Sequence, residues 1–397
     1  VIEGPLSPQV DEFSLVLGGP LYQLLLRWGL IRPPLGNLRS RIVVISGLAW
    51  LPLVPLTILG GRFFHGVKIP FLYDFEVHAR LLFALPLLIF AELLVYMRMR
   101  ALTAQFIDRH IITKEVRPAF DMVIASAVRL RNSIPAEIGL LLIAVLAGPH
   151  IWSASLALRT DTWYGTVTPQ GLNFTAAGDW YGFVSVPIFQ FVLLRWYYRI
   201  LIWFRFLFQV SRLDLNLIAL HPDRCCGLGF LGNVVASFAP ILMAHSGLFS
   251  GYIANRILHE GAKLPDFRFE LVGIAVVLLV IVLGPLCVFL PKLNRARLAG
   301  LRTYGTLASD YVVGFAGKWV GNRADATDRE PLLGTADIQS LADLANSFAV
   351  VKEVRLVPFG KDAVTRFLVV ILIPLSPLVL TMFSPEELLQ RLIKVVI

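Results

Sequence analysis

Apolar residues in this chain are gathered in blocks instead of recurring at the period of a surface helix or strand. A transmembrane helix needs about 20 largely apolar residues to cross a hydrocarbon core about 30 Å thick. Seven stretches meet or approach that length: Ile42–Gly61, Leu81–Met97, Ile138–Ala154, Gly182–Trp203, Gly232–Ile253, Leu271–Leu290 and Phe367–Phe383. The pattern predicts an all-α polytopic membrane helical bundle of about seven transmembrane helices with inward helical extensions. Between the blocks the period changes. Val116, Phe120, Val123, Ala127 and Leu130 recur at helical spacing, with Arg117, Asp121, Arg129 and Arg131 off the stripe, the mark of an amphipathic helix. Leu301, Tyr304, Ala308, Tyr311, Phe315 and Trp319 carry that spacing past the sixth block. Ile338, Leu341, Leu344 and Phe348 then form one face of a helix capped by Asp337.

The organisation that follows is a cytoplasmic interfacial segment (1–41), transmembrane helices 1–6 (42–291) with a cytoplasmic helical loop at 98–135, a cytoplasmic helical extension (292–366), and a seventh span with an amphipathic tail (367–397). Ser7-Pro8 opens a helix resting on the inner leaflet to about Leu30, interrupted at Gly18-Gly19-Pro20 and closed by Pro33-Pro34. Arg159 to Tyr181, rich in Thr, Gly and Asn, predicts a folded loop or short hairpin. Asn322 to Gly334 predicts a mobile loop, and Ser384-Pro385 opens the tail helix. The seventh span carries two prolines, so crossing and re-entrant forms both stay open.

Composition agrees with the blocks: 56% of residues are hydrophobic and 16% charged, against about a quarter charged in a soluble domain. Charge then orients the chain, because short cytoplasmic loops collect Lys and Arg. With the N-terminus inside, the inner segments hold 27 of the 36 Lys and Arg. That predicts a cytoplasmic N-terminus. The net charge of +9 thus points to anionic lipid at the cytoplasmic face and not to nucleic acid. Three cysteines, Cys225, Cys226 and Cys287, fall near the inner side, where thiols stay reduced, so no disulfide framework is indicated. No cleavable signal pattern precedes the first block.

Every block contains proline: Pro52 and Pro55, Pro86, Pro149, Pro187, Pro240, Pro285, Pro374 and Pro377. A proline-bent span frees a backbone carbonyl that neighbours or water must satisfy, which fits kinked helices around a cavity. Three ionisable groups lie inside blocks, Glu92, His150 and His245. Such groups are costly in hydrocarbon, face partners or a cavity, and mark pathways. They are the pathway candidates, with Arg195 or Arg199 as prospective partners of Glu92. Gly227-Leu228-Gly229-Phe230-Leu231-Gly232 has the G-x-G-x-x-G spacing but precedes a membrane helix instead of following a strand, so it is no dinucleotide fingerprint. Glycine N–H groups with Arg224 can instead hold an anion or a lipid phosphate, making Arg224, Gly227 and Gly229 binding candidates. The structural alternative is a tight turn with Asp223 capping it. His221, Cys225, Cys226 and Cys287 are soft donors, yet adjacent cysteines and an unusual spacing argue against zinc. No metal or cofactor is expected. Arg195, Arg199, Arg205 and Arg212 lack the every-third-residue spacing of a voltage sensor and read as anchors. No soluble catalytic motif is present.

His221-Pro222-Asp223-Arg224, followed by Gly227-Leu228-Gly229-Phe230-Leu231, together with Ser340-Leu341-Ala342-Asp343-Leu344, resembles a family of uncharacterised bacterial polytopic inner-membrane proteins. The resemblance implies a bacterial inner membrane as the expected location and carries no activity. The expectation from the residues is a channel or transporter for a small solute or ion, an anion being favoured by the basic inner face, acting as a homo-oligomer or within a membrane complex. A non-catalytic scaffold or accessory subunit is the alternative, and a membrane enzyme acting on lipid phosphate the third reading.

Overall fold

The computed structural model describes residues 13–151, 160–168, 171–320 and 336–382. Its elements in chain order are α1 (Pro20–Arg27), α2 (Leu38–Leu59), α3 (Phe75–Asp108), α4 (Arg117–Arg131), α5 (Ile134–His150), β1 (Gly165–Thr168), β2 (Gly171–Phe174), α6 (Ala176–Val210), α7 (Leu228–Glu260), α8 (Leu264–Trp319), α9 (Ala336–Lys352) and α10 (Lys361–Met382). The protein is a helical membrane bundle. Among the described residues six helices are long and apolar enough to span a membrane, or seven if α4 and α5, bent by 40°, count as one span. β1 and β2 form the antiparallel hairpin expected after Arg159. The reading of Ser7-Pro8, the end of the third block beyond residue 151, Asn322–Gly334 and the tail from Ser384 lie outside the described residues.

Two sets of connecting segments close the bundle at opposite ends. At one end Asn216 donates its N–H to Ile111, Lys292 donates to the Leu213 carbonyl, Arg297 to the Lys352 carbonyl and Arg355 to the Asp223 carbonyl. This is the cation-rich end. At the other, Arg62 donates to the Thr162 carbonyl, Trp163 to Asp74, and Asn255 to Asp74. Helix α10 starts beside Gly232 and ends with Leu378 packed on Ile253 and Phe267. It therefore runs parallel to α7, and it is long and apolar enough to span a membrane.

Proline shapes the spans in a regular way. Three π-helical turns, Ala79–Ala84, Ile143–Ala147 and Tyr181–Ser185, each end two residues before a proline, Pro86, Pro149 and Pro187. Proline lacks an N–H and its ring crowds the carbonyl four residues back. A ladder widened to the fifth residue relieves both in apolar surroundings. Pro285 sits instead in a 3-10 turn, Gly284–Phe289, inside α8. Small residues set a close contact between α3 and α7. A Cβ on Gly251 would lie 2.6 Å from Ala79 Cβ and 2.9 Å from the Phe75 carbonyl oxygen, so Gly247 and Gly251 form a close-approach face of the kind membrane helices use.

Two expectations change. The stretch from Phe13 is not an interfacial helix resting on lipid: Phe13, Leu15 and Val16 are each 1% exposed, and Phe13 packs on Phe206 with ring centres 4.8 Å apart and the planes tilted by 34°. Only α1, after the positive-φ pair Gly18 and Gly19, is helical there. The stretch Arg117–Arg131 is not a separate loop helix either. Its Phe120 meets Phe206 and its Leu130 carbonyl accepts from Tyr198, so α4 lies along α6 and α5 continues that contact. A helical extension does form: α8 continues past Lys292 to Trp319, and α9 packs back on it. Asp337, read as a cap, lies in the first turn of α9 with its carboxylate accepting from Lys318 at 2.7 Å and Trp319 at 3.1 Å.

Candidate functional site

Glu92 is the centre of a buried ionic cluster drawn from four helices. Its Oε2 accepts from Arg41 Nη1 of α2 at 2.6 Å, and its Oε1 from Arg199 Nη1 at 3.0 Å and Arg195 Nη1 at 3.5 Å, both of α6. Arg195 Nε in turn lies 3.0 Å from Oε1 of Glu137 on α5. Arg41 and Arg199 are 0% and 4% exposed. Three guanidiniums face two carboxylates, so the cluster carries a net charge of +1. Burying a charge without a partner costs several kcal/mol, and the mutual pairing is what makes this cluster tenable. Among the described residues it is incomplete at two points: Arg41 Nε and Nη2, and Glu137 Oε1, are buried and have no hydrogen-bond partner in the protein.

Depth follows from helix rise, about 1.5 Å per residue. Arg41 to the end of α2, Glu92 to the start of α3 and Arg195 to the start of α6 give about 27, 26 and 29 Å. The cluster thus lies about one hydrocarbon thickness from the cation-poor end, toward the basic side. A cavity of about 20 Å³ touches Arg131, Ser133, Glu137, Arg195, Tyr198 and Arg199, room for a single water. Gly18 and Arg131 also line a larger hollow of about 680 Å³ between α1 and the α4–α5 bend. The N-terminal segment separates the two. Arg131 Nη1 donates to the Ser14 carbonyl at 2.7 Å, and the Leu21 N–H donates to Glu137 Oε2 at 3.2 Å.

The other two pathway candidates stand apart from Glu92. His245 on α7 has both ring nitrogens engaged, Nε2 with the Tyr197 hydroxyl at 2.7 Å and Nδ1 with the Ile241 carbonyl at 2.7 Å. A carbonyl only accepts, so Nδ1 carries the proton and Nε2 accepts from Tyr197 in the neutral ring. That geometry is an interhelical clasp between α6 and α7. His150 is exposed at the end of α5. A second polar network at the cation-poor end was missed by the sequence reading. Asp74, 3% exposed, accepts from the Val77 N–H, Asn255 and Trp163, while Arg80 bonds Glu76 at 2.5 Å and the Tyr181 hydroxyl. The available signal was four ionisable residues, Asp74, Glu76, His78 and Arg80, in seven positions at the mouth of a span.

The turn before α7 satisfies its own amides. Asp223 accepts from the N–H of Cys225 at 2.8 Å, Gly227 at 3.1 Å and Gly229 at 2.8 Å, and His221 Nδ1 lies 2.9 Å from its Oδ1. The glycine N–H groups considered for an outside anion thus point at the chain's own carboxylate, the capping arrangement. Positive φ at Arg224, Cys226 and Gly227 lets successive amides converge. Burial alone would raise the Asp223 carboxyl, but the three amides and His221 outweigh it and hold it below the ordinary aspartate value. Arg224 pairs with Glu353 at 2.8 Å, in the open. Cys225 is buried with its thiol facing the Val357 carbonyl at 3.6 Å. Burial pushes the neighbouring buried Cys226 thiol up to about 12, with the Asp223 charge adding to it. Cys287 is exposed on α8. Among the described residues no three His, Cys, Asp or Glu side chains are grouped to hold a metal ion.

Neither a protein-family profile, nor a curated protein, nor a solved structure matches the chain. The functional reading rests on its own residues.

Proposed function

We propose that this chain is a membrane transport protein for a small anion, with Arg41, Glu92, Glu137, Arg195 and Arg199 as its charge-selective element. One observation carries the reading: Arg41 is completely buried, belongs to a cluster of net charge +1, and keeps two N–H-bearing nitrogens unpartnered. A buried guanidinium with spare donors is a place where an anion gains charge-assisted hydrogen bonds and repays part of its desolvation. The hollow beneath α1 shares Gly18 and Arg131 with the small cavity at Glu137, Arg195 and Arg199, so on this reading the anion approaches through it. The clasps from Arg131 to Ser14 and from Leu21 to Glu137 make residues 13–27 the closure over it.

The test is reconstitution into liposomes with flux of chloride, nitrate and phosphate read separately. Wild type is expected to pass at least one of them above empty vesicles. Arg41→Gln brings the cluster to zero net charge while leaving Glu92 paired to Arg195 and Arg199. At about 5 Å and an effective dielectric of about 20, one charge is worth about 3 kcal/mol, so flux should fall at least tenfold, with Arg41→Lys closer to wild type. Absence of flux for all three anions, or equal flux in Arg41→Gln, rejects the reading.

A scaffold role has one observation of its own. The extension of α8 with α9 leaves Leu307, Val312, Val313 and Ile338 exposed, Val313 at 72%, which suits docking of another protein. A stoichiometric partner in a native purification, lost on substitution of these residues by Ser, supports that role.

A further inference from the structure

A cavity of about 550 Å³ opens between the end of α6 and the point where α8 leaves the apolar zone. Its polar wall is Arg212, Lys292 and Arg295, and its apolar wall includes Phe208, Val288 and Pro291. Lys292 donates to the Leu213 carbonyl at 2.8 Å, and the Arg212 guanidinium lies over the Phe208 ring at 4.8 Å. Neither contact neutralises charge, and among the described residues none of the three cations forms a salt bridge. Every other cationic cluster described above, that of Glu92 included, contains its own carboxylates. Three cations sharing one hollow without an acid repel one another, and an anion relieves that repulsion.

Depth selects the kind of anion. Arg268 to Lys292 covers about 36 Å of helix rise, one hydrocarbon core plus part of a headgroup layer. Exposed Leu201, Phe204 and Phe208 make a stripe on α6, at spacings of three and four, that leads from the apolar zone to the cavity, and Leu290 is exposed at its rim. An oily track ending in a cationic cup matches a molecule with an acyl chain and a phosphate. We propose that this cavity binds the phosphate of an anionic glycerophospholipid, its acyl chain lying along Leu201, Phe204 and Phe208. The site is separate from the Glu92 cluster, and its fate is independent of whether the chain transports anions.

Cys287 is a native reporter. It lines the cavity and is exposed, whereas Cys225 and Cys226 are 0% and 1% exposed. The experiment measures the rate at which an uncharged maleimide labels Cys287 in the full chain held in nanodiscs. One set contains phosphatidylcholine alone and another contains 30% phosphatidylglycerol. A third arm adds inorganic phosphate to the phosphatidylcholine discs. Cys287→Ser gives the blank. The expected result is at least fivefold slower labelling with phosphatidylglycerol, and little effect of millimolar phosphate. Protection by phosphate alone to the same extent supports the cationic cup and identifies free phosphate as its ligand. Arg212→Gln with Arg295→Gln, which removes no backbone contact, should lose the protection, by about fivefold in apparent lipid affinity for each cation. Equal labelling in all discs, or protection that survives the double substitution, overturns the site.

Discussion

Asp223 and Glu92 are both half-hidden carboxylates, and their neighbours give them different work. Asp223 is ringed by backbone amides, so its charge fastens a turn. Its carboxyl is held below the ordinary value near about 3.9. A group depressed on folding contributes stability that is whole above the unfolded value and is lost as pH falls through the folded one. The amides of Cys225, Gly227 and Gly229 should therefore stay protected from hydrogen exchange between pH 7 and pH 4, and lose protection below it after correction for intrinsic rates. Asp223→Asn should bring the loosened turn to pH 6, with protection reduced about 10- to 100-fold, the range for a lost charged acceptor. Unchanged exchange at those amides in the variant would show that the carboxylate is not what holds the turn. Both roles were partly legible in the sequence. Asp223 next to glycines reads as a cap, and Glu92 stands out as a carboxylate inside an apolar block. What could not be read was the company. Arg41 and Glu137 sit at block edges, where charges ordinarily face water, and only packing brings them inward to Glu92.

At the scale of elements the apolar blocks were readable because a bilayer imposes a length on them, whereas contacts between helices impose no such length. That difference explains why the stripe of α4 predicts a helix but not its partner: Val123 and Ala127 are equally suited to lipid headgroups or to α6. It also explains the missed contact of α3 with α7. Gly247 and Gly251 are two glycines among 30 in the chain, and their meaning lies in what faces them. A Cβ at Gly251 would run into the Phe75 carbonyl and the Glu76 Cα at 2.9 and 3.2 Å, backbone that cannot turn aside. One at Gly247 meets only the Phe83 ring, a side chain able to rotate. Gly251→Ala is expected to cost about 1–3 kcal/mol, and Gly247→Ala less, in thermal unfolding of the detergent-solubilised protein. The reverse ranking would mean that α7 does not approach α3 through Gly251.

On the scale of the whole molecule, charge placement along the chain coincides with the contacts between its segments. Basic segments remote in sequence, 109–113, 212–229, 292–297 and 352–366, meet at one end of the bundle. Segments near 62–78, 160–165 and 255–264 meet at the other. Translocation disfavours short cationic loops, so the first set is expected to face the cytoplasm. The exposed residues Lys114 and Arg302 sample that end, and the exposed Lys68 and Lys263 the opposite one. Each is to be changed to Cys in a Cys287→Ser background and treated with a membrane-impermeant maleimide. Intact cells should label Lys68→Cys and Lys263→Cys, while Lys114→Cys and Arg302→Cys should react only after lysis. The inverse pattern would turn the bundle over and put the hollow under α1 on the outside, so an anion reaching Arg41 would come from the medium and not from the cell. A split between Lys114→Cys and Arg302→Cys would break more than orientation. It would separate Lys292 from Leu213 and Arg109 from Asp223, contacts on which the basic end of the bundle depends.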